Sequence, residues 1–168
     1  MASAERTGLE LPEAGQLSLA GAQLNVGVKL AEEGRTRQAV AALRRALELK
    51  PDYAKAHFNL GIALESAGDL ASAIDHYRQA SELDPAHAEA HFNLGHALFA
   101  TGDRQAAIRA YQQAVSARPR FADAQYNLGH ALLASGQHDE AASHLQEVIR
   151  LQATRAEAHF NLANSFML

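Results

Sequence analysis

The sequence contains no cysteine, so it has no disulfide framework, no thiolate metal site and no cysteine nucleophile, which fits a reducing compartment. Proline is scarce, with four in 168 residues, and aromatics make up 6%. Basic residues are not in excess: 15 Lys and Arg stand against 19 Asp and Glu, giving a net charge of −4 with His neutral. Nucleic acid is therefore not expected as a partner, because phosphate binding needs a basic face. No apolar run approaches the roughly 18 residues of a membrane span. Residues 1–19 lack the apolar core of a signal peptide, so a cytoplasmic location without membrane attachment is expected. What is present is 48% hydrophobic residues in a background of Ala, Leu, Gln, Glu and Arg, the composition of an all-helical protein.

The chain also repeats itself. AHFNLG at Ala56–Gly61 returns at Ala90–Gly95, as AQYNLG at Ala124–Gly129 and as AHFNLA at Ala158–Ala163, each copy 34 residues after the last. Units of 20–53, 54–87, 88–121 and 122–155, with a partial unit 156–168, align in fixed columns. The sixth column is Asn25, Asn59, Asn93, Asn127, Asn161, and the eighth is Gly27, Gly61, Gly95, Gly129. The fifteenth is Gly34, Gly68, Gly102, Gly136, the twentieth is Ala39, Ala73, Ala107, Ala141, and the thirty-second is Pro51, Pro85, Pro119, then Ala153.

Each column has a physical reading. The fifteenth-column glycine can take positive φ and end a first helix, and Asp69 and Asp103 after it can cap the next. The proline stops the second helix. The eighth-column glycine lies inside a helix, where it costs about 1 kcal/mol relative to Ala. That repeated cost predicts close helix packing, with the twentieth-column Ala as the small residue opposite. The apolar spacing predicts helices over 21–33, 37–50, 54–67, 71–84, 88–101, 105–118, 122–135, 139–152 and 156–168. Residues 1–19 are expected to be a tail, or a short helix from Glu13 to Leu19.

These columns resemble the tetratricopeptide repeat, a 34-residue helix–turn–helix unit with Leu-Gly, Ala, an aromatic and Pro at fixed offsets. Unit two supplies Leu60-Gly61, Ala73, Tyr77 and Pro85, and unit three supplies Leu94-Gly95, Ala107, Tyr111 and Pro119. His or Gln stands where the family usually has Trp in the fourth column, and unit four has Leu145 for the aromatic and Ala153 for the proline. The resemblance implies an all-α fold, a right-handed α-solenoid of about four and a half units over 20–168. It further implies that the first helix of each unit lines a concave groove. Phe58, Phe92, Tyr126 and Phe160 then form an aromatic stripe in that groove. Asn59, Asn93, Asn127 and Asn161 form a row of amides, and Ile62, His96 and His130 stand beside them. The acids Glu89, Asp123 and Glu157 lie toward its C-terminal end, and Lys55 is the one groove-column cation. The groove therefore does not suit the terminal carboxylate that chaperone-binding members of the family clamp.

The asparagine row has two readings. A carboxamide both donates and accepts, so the row can hold the main chain of an extended peptide, as a similar ladder does in the repeat arm of O-linked N-acetylglucosamine transferases. It can equally tie neighbouring repeats together. His57, His91 and His159 fall in a packing column and read as structural. His87 and His91 have the i, i+4 spacing of a metal pair, but no third ligand is placed to close a site. No metal and no cofactor are expected. No glycine-rich phosphate loop, nucleophile elbow or carboxylate pair appears, so the chain is not expected to be an enzyme. The expected function is a protein-interaction scaffold that holds a partner peptide or helix in the groove. Two other readings are a substrate-recruiting arm of a larger enzyme of the glycosyltransferase type, and a self-assembling module. For the last of these, Phe160, Leu162, Phe166, Met167 and Leu168 crowd onto helix 156–168. They predict either continuation past 168 or a homodimer through this helix.

Overall fold

The computed structural model describes residues 13–166. Residues 1–12 of the expected tail, and Met167 and Leu168 of the expected apolar cluster, lie outside the described residues. Within them the chain forms nine α-helices and no strand. They are α1 (Glu13–Glu32), α2 (Thr36–Leu49), α3 (Ala54–Ser66), α4 (Leu70–Leu83), α5 (Ala88–Ala100), α6 (Arg104–Ala117), α7 (Ala122–Leu133), α8 (His138–Leu151) and α9 (Ala156–Ser165). Each odd helix packs on the even helix after it, and each even helix on the next odd one. Successive odd helices also touch, α1 with α3, α5 with α7 and α7 with α9. The result is the expected right-handed solenoid. Among the described residues no helix is long and apolar enough to cross a membrane.

The turns follow from the repeated letters. At the first turn of unit three, Gly102 sits at φ +89°, a left-handed conformation open to glycine without penalty, and Gly34, Gly68 and Gly136 repeat it. That conformation lets Asp103 N–H reach back to the Leu98 carbonyl at 3.0 Å, satisfying an end-of-helix acceptor. Asp103 then accepts from Ala106 N–H at 3.1 Å, and Asp69 from Ser72 N–H at 3.2 Å, so both carboxylates cap as expected. At the second turn the residue before proline is pushed to extended φ, −143° at Lys50, −135° at Asp84 and −141° at Arg118. Gln152 adopts −141° before Ala153, so the turn into α9 keeps its shape without proline.

Two expectations need correction. The short N-terminal helix and the first repeat helix are one element, because α1 runs unbroken from Glu13 through Ala20 to Glu32. The twentieth-column alanine is opposite the eighth-column glycine in units one and four, where an added Cβ would lie 3.3 and 3.4 Å from the Ala39 and Ala141 carbonyls, but it is not the nearest neighbour. A Cβ on Gly61 would lie 2.6 Å from Tyr77 Cε1, and one on Gly95 would lie 2.7 Å from Tyr111 Cδ1. On Gly27 and Gly129 it would meet Cγ of Leu43 and Leu145 at 2.6 and 2.9 Å. Glycine is required because a large side chain of the paired helix lies flat against its backbone. Tyr77, Tyr111, Leu43 and Leu145 are accordingly buried in the centre of each unit, with Ala39, Ala73, Ala107 and Ala141 filling the space beside them.

Candidate functional site

The odd helices expose two depressions along one face. The first, about 300 Å³, is lined by Val28, Ala31, Glu32, Leu43, Asn59, Ile62 and Ser66. The second, about 260 Å³, is lined by His96, Phe99, Tyr111, Tyr126, Asn127 and His130. Glu65 stands between them on α3. It accepts the Tyr77 hydroxyl at 2.6 Å and lies 3.5 Å from His96 Nδ1. One half of the face is thus aliphatic and the other aromatic and imidazole-rich. The expected groove residues Asn59 and Ile62 meet in the first depression, and His96, Tyr126, Asn127 and His130 in the second.

Phe58 and Phe92 enter neither depression. The Phe58 ring packs on Tyr77 and on His87, with centroids 6.1 and 4.6 Å away, and Phe92 packs on Tyr111 and Phe121 at 6.0 and 5.0 Å. Tyr126 follows the same rule with Arg155, whose guanidinium lies 4.2 Å above its ring. The fifth-column ring therefore leans on the last residue of its own unit, at the start of the next. That thirty-fourth column reads Tyr53, His87, Phe121, Arg155, a large planar group in every unit. Its periodicity was visible in the sequence, but its place at a helix start pointed to a turn rather than to packing. Phe160 leans on no such group among the described residues and is 67% exposed.

The asparagine row meets tyrosine hydroxyls across units wherever a tyrosine is available. Asn93 stands beside the Tyr77 hydroxyl of the unit before it, and Asn127 beside that of Tyr111, each amide favouring the ionised hydroxyl. Unit one has Leu43 in that column, and Asn59 turns instead to the Lys55 carbonyl of its own helix at 2.7 Å. Unit four has Leu145, and Asn161 donates to Tyr126 at 3.2 Å. Burial is the main cause that pushes the Tyr77 and Tyr111 hydroxyls above the usual tyrosine range, and at Tyr77 the Glu65 hydrogen bond adds to it.

The acids expected to charge the C-terminal end of the groove are largely paired. Asp123 bonds Arg155 at 2.7 Å, and Glu89 bonds Arg118. Burial raises the Glu89 carboxyl, but Arg118 and a backbone hydrogen bond outweigh it and hold the group below its ordinary value. Glu157 remains exposed.

Histidines in the fourth column bind the turn ahead of their own helix. His57 Nε2 lies 2.9 Å from the Pro51 carbonyl, His91 Nε2 3.1 Å from that of Pro85, and His159 Nε2 2.9 Å from that of Ala153. Gln125 Nε2 donates to Pro119 at 3.0 Å in the same way. His87 is the cap of α5, accepting from Ala90 N–H at 3.2 Å, and so takes no part in a pair with His91. Among the described residues no three His, Asp or Glu side chains gather as metal ligands.

Fold and face together define a helical-repeat protein with two shallow depressions on its odd-helix face. Family models described as tetratricopeptide repeat match residues 92–156 and 126–168, and others described as TPR repeat match 27–68 and 66–102. The chain belongs to the tetratricopeptide-repeat family. No curated protein matches it. Among solved structures it is similar to MamA, at 27% identity and TM-score 0.82 over 88% of this chain and 81% of that one. It shares its fold with YrrB, described as a TPR protein with an unusual peptide-binding site, at 23% identity and TM-score 0.80 over 86% and 74% of the two chains. PilF of Pseudomonas aeruginosa has the same fold at 24% identity and TM-score 0.75, over 90% and 69%.

Proposed function

We propose that this protein is a non-enzymatic cytoplasmic scaffold that binds an extended or helical segment of a partner protein across its odd-helix face. The observation that carries this is the pair of depressions on one face, one aliphatic around Ile62 and one aromatic around Tyr126 and His130. Apolar hollows rimmed by polar groups are what a peptide's side chains need. Asn59 lines the first hollow and Asn127 the second, where their free amide atoms can meet a peptide main chain. The cation-poor face favours a segment without a dominant acidic cluster.

Peptides selected by display on the full chain test this. Ile62→Ala and His130→Ala are each expected to weaken a selected peptide about tenfold, as for an anchor contact. Gln146→Ala, on the exposed side of α8, is expected to leave affinity unchanged. Equal losses from all three variants, or none from the first two, would reject the odd-helix face as the binding surface.

A second reading, self-association through α9, is favoured by Phe160 and Phe166, which are 67% and 69% exposed. Such apolar exposure on α9 and at its C-terminal cap suits an isologous contact. Light scattering over a concentration series is expected to show dimers for the wild type, and monomers of unchanged helicity for Phe160→Gln/Phe166→Gln. A wild type that stays monomeric at high concentration rejects this reading.

A further inference from the structure

The even-helix side of the solenoid carries one hydrogen-bonded arrangement in units two and four, whereas the twenty-third column is Ala42 in unit one and Ala110 in unit three. In unit two, His57 Nε2 faces the Pro51 carbonyl and must carry the proton, so its Nδ1 is an acceptor. His76 on α4 meets that atom, Nδ1 to Nδ1 at 3.0 Å, as the donor. In unit four, Gln125 donates to Pro119 and its Oε1 accepts from His144 Nδ1 on α8 at 2.7 Å. Both units thus present an acceptor from the fourth column and cover it with a neutral imidazole from the twenty-third column. Burial favours the neutral form of His76 and His144 by lowering both pKa values. In unit three His91 makes the same bond to Pro85, but the twenty-third column is Ala110.

The imidazole's place is then a cavity. It measures about 300 Å³ and opens between α4 and α6, with His91, Leu94 and Leu98 of α5 along its floor and Ala110 in its wall. His91 is only 9% exposed, and its Nδ1 makes no hydrogen bond to any described residue. That acceptor opens into the cavity, and the sister units show which group can donate to it. Arg78 and Arg109 stand at the rim. Arg78 is paired with Asp75 at 3.1 Å, whereas Arg109 has no ion pair among the described residues.

We propose that this cavity is a binding site for the neutral imidazole of a histidine side chain from a partner polypeptide, inserted where His76 and His144 stand in the neighbouring units. The ring N–H donates to His91 Nδ1, and the ring faces rest on Leu94 and Leu98. The guanidinium rim selects against imidazolium and favours an acidic residue beside the histidine, whose carboxylate reaches Arg109. The site is separate from the odd-helix face, and neither depends on the other.

The test is NMR titration of the isotope-labelled full chain with 4-methylimidazole, and with a capped Gly-His-Glu peptide, at a pH where both rings are neutral. The small ring is expected to bind with a dissociation constant on the order of millimolar, as its few atoms allow. Shifts should centre on Ala106, Ala110 and His91 and spare His57 and Gln125. The peptide should bind about tenfold more tightly through one charge-assisted hydrogen bond, and Arg109→Gln should remove that gain. Ala110→His, which rebuilds the arrangement of units two and four, should abolish binding of both probes, as should the apolar filler Ala110→Leu. Absence of shifts at His91 and Ala110, equal shifts in all three grooves, or binding that survives both fillers would overturn the site. Binding of 4-methylimidazole but not of the peptide would overturn the assignment to a partner polypeptide.

Discussion

Gly95→Ala is expected to destabilise the protein by roughly 1–3 kcal/mol, although alanine is the better helix former. Propensity alone favours the substitution by about 1 kcal/mol. The new Cβ, however, would lie 2.7 Å from Tyr111 Cδ1, 2.8 Å from Cε1 and 3.1 Å from Cγ. Tyr111 is almost fully buried, and a flat ring packed against the glycine backbone has little room in which to retreat. Overpacking of that kind costs about 1–3 kcal/mol, and here it is large enough to reverse the propensity. Gly61→Ala against Tyr77 is expected to behave alike. Gly21→Ala is the contrast: Gly21 lies in α1 with nothing within 4 Å of the added carbon, so stability should rise by up to about 1 kcal/mol. Urea denaturation of the three variants measures both signs. A Gly95→Ala protein that gains stability would show that the tyrosine does not hold the glycine in place.

That contrast also marks what could be read from the letters. Periodicity placed eight of the helices to within a few residues, because capping aspartates, turn glycines and prolines recur at fixed offsets and act locally. It was silent on the first turns of α1, where Leu17 and Leu19 are exposed and no copy elsewhere in the chain exists for comparison. Pairings between columns were harder. A column shows that a residue type recurs and does not show what it meets. Gly61 and Tyr77 are 16 positions apart, and both Ala73 and Tyr77 were available partners for the glycine. The candidate groove shows the same limit. Asn59, Ile62, His96, Tyr126, Asn127 and His130 were each placed by column, and two hollows collect them. The division at Glu65, and the use of Phe58 and Phe92 as packing between units, depend on contacts across helices that a single column does not encode. The histidines gave the least away. Their meaning lies in departures from the repeat, with Ala110 standing where units two and four have His76 and His144.

Tyr111→Ala is expected to be the most damaging single truncation in the inner half of the solenoid, at roughly 3–5 kcal/mol, the usual cost of emptying a buried aromatic site. Three roles end together. The ring packs on the Gly95 backbone and against Phe92 at a centroid distance of 6.0 Å. It forms part of the wall of the aromatic depression, and its hydroxyl stands beside Asn127 of the following unit. Tyr111→Phe isolates the last role. It should cost about 1 kcal/mol, the net worth of one hydrogen bond, with the odd-helix face intact. Asn127→Ala should cost a similar amount by removing the amide that neighbours the hydroxyl. Because both variants remove the same contact, the double variant should cost less than their sum, with a coupling of about 0.5–1 kcal/mol. Asn59→Ala is the reference: unit one offers Leu43 instead of a tyrosine, and Asn59 bonds only to Lys55 of its own helix. That change should leave the melting temperature nearly unmoved, while weakening a bound peptide if the amide is free to contact it. Strict additivity of Tyr111→Phe and Asn127→Ala would mean that the asparagine row does not tie repeat to repeat and serves the ligand alone.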